Sequence, residues 1–321
     1  MKPMVYITRH LPQKAMETLS EFCEPVVWDA DLPPGDAELQ KQVADKEGLL
    51  CLLTDRVDAE LIQSAPRLRV ISQCAVGFDN IDVAAATARG IPVGNTPGVL
   101  TETTADFTWT LLAAAARRVV EGVDYVRSGQ WRTWGLSLLL GQDLYGATLG
   151  IVGMGRIGEA VARRGLGFKM KTLYYDHRRK PELENAWGIR YAPFDELLSR
   201  ADFITLHVNL TAHSTKLIGP RELSLMKPTA ILINTSRGPV VDTEALYQAL
   251  KQGRLAHAAL DVTDPEPLPP DHPLLSLPNV TITPHIASAS VATRTRMVMM
   301  AVENLRAGLS GHKLPYPVNF A

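Results

Sequence analysis

The chain has 321 residues, with 33 Lys and Arg against 34 Asp and Glu, for a formal charge of −1. Hydrophobic residues make up 46% and charged residues 21%, an ordinary globular balance, and the near-neutral total lacks the clustered Lys and Arg with which nucleic-acid binders displace counterions. At roughly 150 residues per domain the length allows about two domains.

Cys23, Cys51 and Cys74 form no C-x-x-C pair, which argues against a disulfide framework and a zinc site and fits a reducing compartment. The segment Met1–Arg9 lacks the apolar region of a secretory signal. No run reaches the roughly 18 apolar residues of a membrane helix. The expectation is a cytoplasmic protein with no membrane partner.

Short apolar runs alternate with helical patterns, the form that βαβ units and parallel sheets take in sequence. Strands are predicted at Val5–Thr8, Leu49–Leu53, Val70–Ser72 and Ile91–Val93, with helices at Gln13–Phe22 and Asp58–Ser64. Residues 90–98 are dense in Gly and Pro and read as a connection. From Thr101 an Ala- and Leu-rich segment predicts one long buried or interfacial helix to about Val126, with no breaker before Gly122. Trp131 and Trp134 follow, either packed on their own domain or on an arm reaching a partner subunit. A second series places strands at 147–152, Thr172–Tyr175, Phe203–His207, Ala230–Asn234, His257–Leu260 and Val280–Thr283. A proline-rich loop over 264–273 and a final helix from Val291 to about Leu309 complete the series.

Gly153-Met154-Gly155-Arg156-Ile157-Gly158 fits G-x-G-x-x-G between a predicted strand and a helix, and Asp176 stands 23 residues after the first glycine at the end of the next strand. That is the dinucleotide fingerprint with its acidic ribose partner. Gly153 serves the tight turn, Gly155 lets the backbone approach a pyrophosphate, and Gly158 lets helix and strand pack closely. Arg156 and Ile157 complete the loop, whose helix N-terminus offers free N–H groups to phosphate. Asp176 favours NAD, while Arg178, in the basic stretch beside it, offers a partner for adenine or for the 2′-phosphate of NADP. The fingerprint lies near mid-chain, so a separate βα domain precedes it.

Arg237, Glu266 and His285 each follow a predicted strand of the second series, where open α/β sheets bind ligands. His207, His213 and His257 share no metal-ligand spacing and are read as structural. No metal site is expected.

These segments together, with Val76–Asp82, Asn234–Gly238, Leu260-Asp261-Val262 leading to Glu266-Pro267, and Pro284-His285-Ile286, make a chain that resembles the D-isomer-specific 2-hydroxyacid dehydrogenases over essentially its whole length. Residues 99–106, 131–134 and 261–269 make it most similar to the glyoxylate/hydroxypyruvate reductases within that family. The resemblance implies two Rossmann-like α/β domains with parallel sheets. The dinucleotide domain, 99–285, is inserted into a discontinuous, flavodoxin-like substrate domain of 1–98 plus 286–321. It implies His285 as proton donor to a 2-keto acid; an imidazole, with an ordinary pKa of about 6.5, exchanges protons both ways near neutrality. Glu266 orients that ring, and Arg237 binds the substrate carboxylate and polarises the keto oxygen. The amides of Val76 and Gly77 hold the carboxylate from the other domain, and Trp134 reaches the partner's site in a homodimer. Asp261 binds the nicotinamide carboxamide, and Thr104, Asn209 and Thr235 are further cofactor contacts. Ala287, Asn209 and Ala259 depart from the family's usual Gly, Pro and Gly. The expected function is NAD(P)H-dependent reduction of glyoxylate or hydroxypyruvate. The alternatives are an NAD-sensing corepressor-type protein, or a dehydrogenase for 2-ketogluconate or phosphoglycerate.

Overall fold

The computed structural model describes residues 1–320. They form two compact units, residues 1–100 with 289–320, and Thr101–Ser288.

In the first unit, β1 (Met4–Ile7), β2 (Glu24–Val27), β3 (Gly48–Cys51), β4 (Val70–Gln73) and β5 (Val93–Gly94) make a parallel sheet ordered β2-β1-β3-β4-β5, the flavodoxin-like order. Strand alternation sends Val5, Ile7 and Val70 to one face, where Met297, Val302 and Leu305 of helix Val291–Leu309 cover them. Tyr6, Leu49 and Ile71 go to the other face, under Leu39, Val43 and Ile62. Each large side chain buried in this way contributes roughly 1.5–3 kcal/mol. The C-terminal segment is thus part of the first core.

The second unit carries β6 (Thr148–Val152), β7 (Lys171–Tyr175), β8 (Arg190–Tyr191), β9 (Phe203–Leu206), β10 (Ile231–Asn234), β11 (His257–Leu260) and β12 (Val280–Ile282), all parallel and ordered β12-β11-β10-β9-β6-β7-β8. Counted from β6 this is the dinucleotide-binding order with one added edge strand. Helices Thr101–Ala116 and Arg156–Gly167 cover one face through Leu112, Val161 and Ala105, over Leu149, Ile151 and Phe203. The other face buries Leu206, Leu232 and Leu260 under helices 194–200, 220–225 and 243–251.

Two expectations need correction, and one strand is unforeseen. The long helix from Thr101 ends at Ala116 and restarts as Val119–Arg127, because Arg118 turns left-handed (φ 51°). The returning chain takes the Ala116 carbonyl through the Gln142 amide at 2.8 Å. Strand β2 lacks a clear signal because Pro25 interrupts it at an edge position, where a missing N–H is tolerated. The strand expected at Ile91–Val93 is only Val93–Gly94, since Pro92 has no N–H to pair.

Candidate active site

The dinucleotide loop leaves β6 at its carboxyl end, at the point where the strand order reverses between β6 and β9. Gly153 turns at φ +95°, and a Cβ there would stand 2.7 Å from the His207 carbonyl oxygen, so only glycine fits. Gly155 is the N-cap of helix Arg156–Gly167, no side chain caps that terminus, and the space in front of its Cα is open. Arg156, Ile157 and Gly158 therefore begin a helix whose first amides no side chain caps, with room beside Gly155 for a close approach, which fits a pyrophosphate.

Asp176, just past β7, is fixed to this loop. Met154 N donates to its Oδ2 at 2.6 Å and Arg178 N to its Oδ1 at 3.0 Å, leaving lone pairs for ribose hydroxyls. Of the basic residues beside it, Arg179 is paired with Glu184 at 2.7 Å and Lys180 with Glu159. The exposed Arg178 side chain has no partner among the described residues. Thr104 is buried on helix Thr101–Ala116, and Thr235 Oγ1 lies 2.9 Å from Thr108 Oγ1. Asn209 is exposed, and its carbonyl accepts from Ser214 Oγ at 2.6 Å.

The second cluster lies past the carboxyl ends of β10, β11 and β12, three neighbouring strands. Asn234, fully buried at the end of β10, shapes the loop that presents Arg237. Its Oδ1 accepts from Ser236 N (3.0 Å) and Ser236 Oγ (2.8 Å), while its Nδ2 donates to the Arg237 carbonyl (2.9 Å). At the next residue, a Cβ on Gly238 would lie 1.8 Å from the Thr263 carbonyl oxygen, so this loop and the one bearing Glu266 are in direct backbone contact.

Glu266 accepts from Thr263 N at 3.2 Å, and its Oε1 lies 2.6 Å from His285 Nδ1. Burial pushes its carboxyl up, but the hydrogen bond and charge of His285, the Thr263 amide and the Arg237 charge outweigh burial. Glu266 is held below the usual carboxylate range.

His285 sits in a left-handed conformation, φ 54°, which costs a non-glycine residue of order 1–3 kcal/mol. Asp261 offsets this. The Asp261 carbonyl accepts from His285 N (2.9 Å), its Oδ1 from Thr283 Oγ1 (2.6 Å) and Ile286 N (2.9 Å), and its Oδ2 from Ala287 N (2.7 Å). Burial raises the Asp261 carboxyl above its ordinary value despite those donors. With three acceptor positions filled, any contact of Asp261 with a nicotinamide carboxamide falls to the remaining lone pair of Oδ2.

Sequence reasoning assigns no role to Asn234 or Thr283. The Asn-x-Ser spacing of an Asx-turn is the available signal for the first; nothing local marks the second. Val76 and Gly77 follow β4 in the first unit and are half-buried. Trp131 and Trp134 are exposed, so they do not pack on their own unit. His207 lies 2.8 Å from Thr205 Oγ1 and His257 lies 3.0 Å from Thr281 Oγ1, while His213 is exposed. The Ala287 methyl is buried within the chain.

Comparison with known proteins agrees with this architecture. Residues 109–287 match the family model described as D-isomer specific 2-hydroxyacid dehydrogenase, NAD binding domain. A glyoxylate reductase of Korarchaeum cryptofilum is 53% identical over 99% of this chain and 96% of its own length. A crystal structure of a Thermus thermophilus protein superposes with a TM-score of 0.93 at 51% identity, covering 98% of this chain and 99% of that one. An NADPH-dependent glyoxylate/hydroxypyruvate reductase of Sinorhizobium meliloti, solved with NADP and malonate, superposes with a TM-score of 0.87 at 34% identity, covering 99% and 97%.

Proposed function

This chain belongs to the D-isomer-specific 2-hydroxyacid dehydrogenases, and from that membership we propose that it reduces small 2-keto acids, glyoxylate and hydroxypyruvate foremost, to the corresponding 2-hydroxy acids. The observation that carries the reading is the 2.6 Å Glu266–His285 pair beside the Arg237 loop, on the sheet that also bears the dinucleotide cradle. A reduced nicotinamide held at that cradle would supply the hydride for the carbonyl carbon. The protein's own groups do the rest.

Glu266 occupies His285 Nδ1, which leaves Nε2 as the ring nitrogen that gives a proton to the oxygen of the former carbonyl. The Glu266 carboxylate balances the imidazolium before transfer and orients the ring throughout. Arg237 binds the carboxylate and polarises the keto oxygen through its fork of N–H donors. Val76 and Gly77 amides are a carboxylate-binding pair of the first unit, the substrate domain. The second unit is the dinucleotide domain, in which Gly153, Gly155, Arg156, Ile157 and Gly158 hold the pyrophosphate and Thr104, Asn209, Thr235 and Asp261 make further cofactor contacts. Asp176 favours NADH, and the unpaired Arg178 gives NADPH a foothold.

The reading extends to a homodimer. Val119, Val120, Val123 and Val126 on helix Val119–Arg127, with Trp131, Trp134, Leu136 and Leu140 after it, form a run of exposed apolar residues of the kind that marks an interface. Trp134 then borders the partner's substrate site. No helix among the described residues is long and apolar enough to cross a membrane, and three buried free cysteines suit a cytoplasmic workplace.

NADH and NADPH oxidation against glyoxylate, hydroxypyruvate, pyruvate, 2-ketogluconate and phosphohydroxypyruvate tests the proposal. Turnover highest on the first two supports it; no turnover on any 2-keto acid rejects it.

A further inference from the structure

Arg294 is an anomaly of the first unit. Its Nε is buried without a hydrogen-bond partner, and no acidic group pairs with its guanidinium among the described residues. A half-buried cation left unpaired is costly, so its surroundings indicate what it serves.

Helix Val291–Leu309 runs antiparallel to β4. Arg69 donates to the Leu309 carbonyl at 2.6 Å and Ser72 Oγ to the Ala301 carbonyl at 2.8 Å, while Met297 and Cys74 share one buried cluster. At about 1.5 Å per helical residue and about 3.3 Å per strand residue, the turn bearing Arg294 stands level with residues 75–76. Its charge reaches Cys74, whose thiol burial pushes up to about 11 while Arg294 pulls it down.

The chain just past Cys74 is built to present amides. The Ala75 carbonyl accepts from Thr96 N at 2.9 Å and the Val76 carbonyl from Asn95 Nδ2 at 2.7 Å. Gln73, fully buried, donates to the Gly77 carbonyl at 3.2 Å. A trans peptide directs its N–H opposite to its carbonyl, so the bonds to the Ala75 and Val76 carbonyls turn the Val76 and Gly77 N–H groups away from the protein groups that hold them. Neither amide has a partner among the described residues.

We propose that Arg294 is the charged element of a carboxylate-binding subsite in the first unit, with the Val76 and Gly77 amides as its neutral donors, and that it sets the affinity for small 2-keto acids. The inference rests on the reductase reading for the identity of the carboxylate, but not for the existence of the subsite. A guanidinium level with two unpartnered amides suits the planar, doubly accepting carboxylate, and its contribution is to binding, separate from the proton transfer at His285.

The experiment is calorimetric titration of wild type, Arg294→Gln, Arg294→Met and Arg294→Lys with oxalate, an unreactive dicarboxylate, with and without NADH, alongside glyoxylate kinetics. Wild type should bind oxalate, the Gln and Met variants at least tenfold more weakly and the Lys variant at an intermediate level. KM for glyoxylate should rise in parallel, with NADH affinity unchanged. Oxalate affinities within twofold of wild type in the Gln or Met variant, or no oxalate binding by wild type, overturn the subsite. If those two variants fail to melt cooperatively, Arg294→Lys decides alone: a threefold loss supports the subsite and equality overturns it. A wild type that binds oxalate through Arg294 yet reduces no 2-keto acid overturns the reductase reading and leaves the subsite standing.

Discussion

Glu266 Oε1 stands 2.6 Å from His285 Nδ1, and the backbone of His285 is itself held left-handed by Asp261. The carboxylate therefore acts on a ring whose backbone anchor Asp261 fixes in place. Glu266→Gln keeps the shape but removes the counter-charge. Its kcat for glyoxylate should fall by ten- to a hundredfold, and the alkaline limb of its reduction profile should move to lower pH. His285→Asn should lose about a hundred- to ten-thousandfold, the usual span for a missing general acid. A Gln variant with an unshifted limb would show that Glu266 has no electrostatic part.

The two reaction directions should respond to pH with opposite sign. Glu266, held below the usual carboxylate range, stays charged well into the acid range. Its stabilising effect is present above its unfolded value and is lost only as pH falls through the lowered one. Reduction needs protonated His285 and declines as pH rises; oxidation of glycolate needs it neutral and rises. Parallel profiles, with chemistry rate-limiting, would remove His285 from the role.

Stability should have its own pH signature. Burial pushes the His207 imidazole down to about 3 and that of His257 to about 4. Below about 6.5 the unfolded chain takes up protons that the folded chain refuses, so stability drops as pH falls from about 6.5 toward 4. Thermal melts of His207→Gln, which keeps a donor for Thr205, should show a flatter acid limb than wild type. An identical limb refutes the assignment.

Gly153→Ala places a methyl 2.7 Å from the His207 carbonyl oxygen at a φ of +95°. The turn must shift, and NADH affinity, followed by nucleotide fluorescence, should fall at least tenfold while the first unit's core is untouched. A variant binding NADH like wild type would show that the loop has slack.

The exposed valines of helix Val119–Arg127 can be tested by charge. Val123→Glu with Val126→Glu should convert a dimer to a monomer in light scattering, and Trp134→Ala should raise KM for hydroxypyruvate several-fold without dissociating it. A wild-type monomer would end the dimer proposal.

How much of this is legible in the sequence depends on where the information lies. The parallel strands β6, β9 and β10 are buried on both faces and read as largely apolar runs, and the glycine loop announces itself because Gly153 answers a local need for positive φ. Arg237, Glu266 and His285 are visible as polar residues just past such runs. The break at Arg118 is not legible, because its cause is the Gln142 amide arriving from 24 residues downstream. Asp261 reads in sequence as a cofactor ligand, whereas its clamp on the His285 turn depends on the neighbouring strand β12. Arg294 is one of several Arg on a long helix; only its buried, unpartnered Nε sets it apart, and that is a property of the tertiary environment.

The packing of helix Val291–Leu309 against β4 also has a consequence for biosynthesis. The first hundred residues leave the ribosome first, yet Val5, Ile7 and Val70 stay uncovered until Met297, Val302 and Leu305 have been made. The 188 residues of Thr101–Ser288 close their own sheet in the meantime, since domains fold as units during synthesis. The N-terminal strands thus wait as exposed apolar surface for most of the time of synthesis, and the segment synthesised first completes its core last.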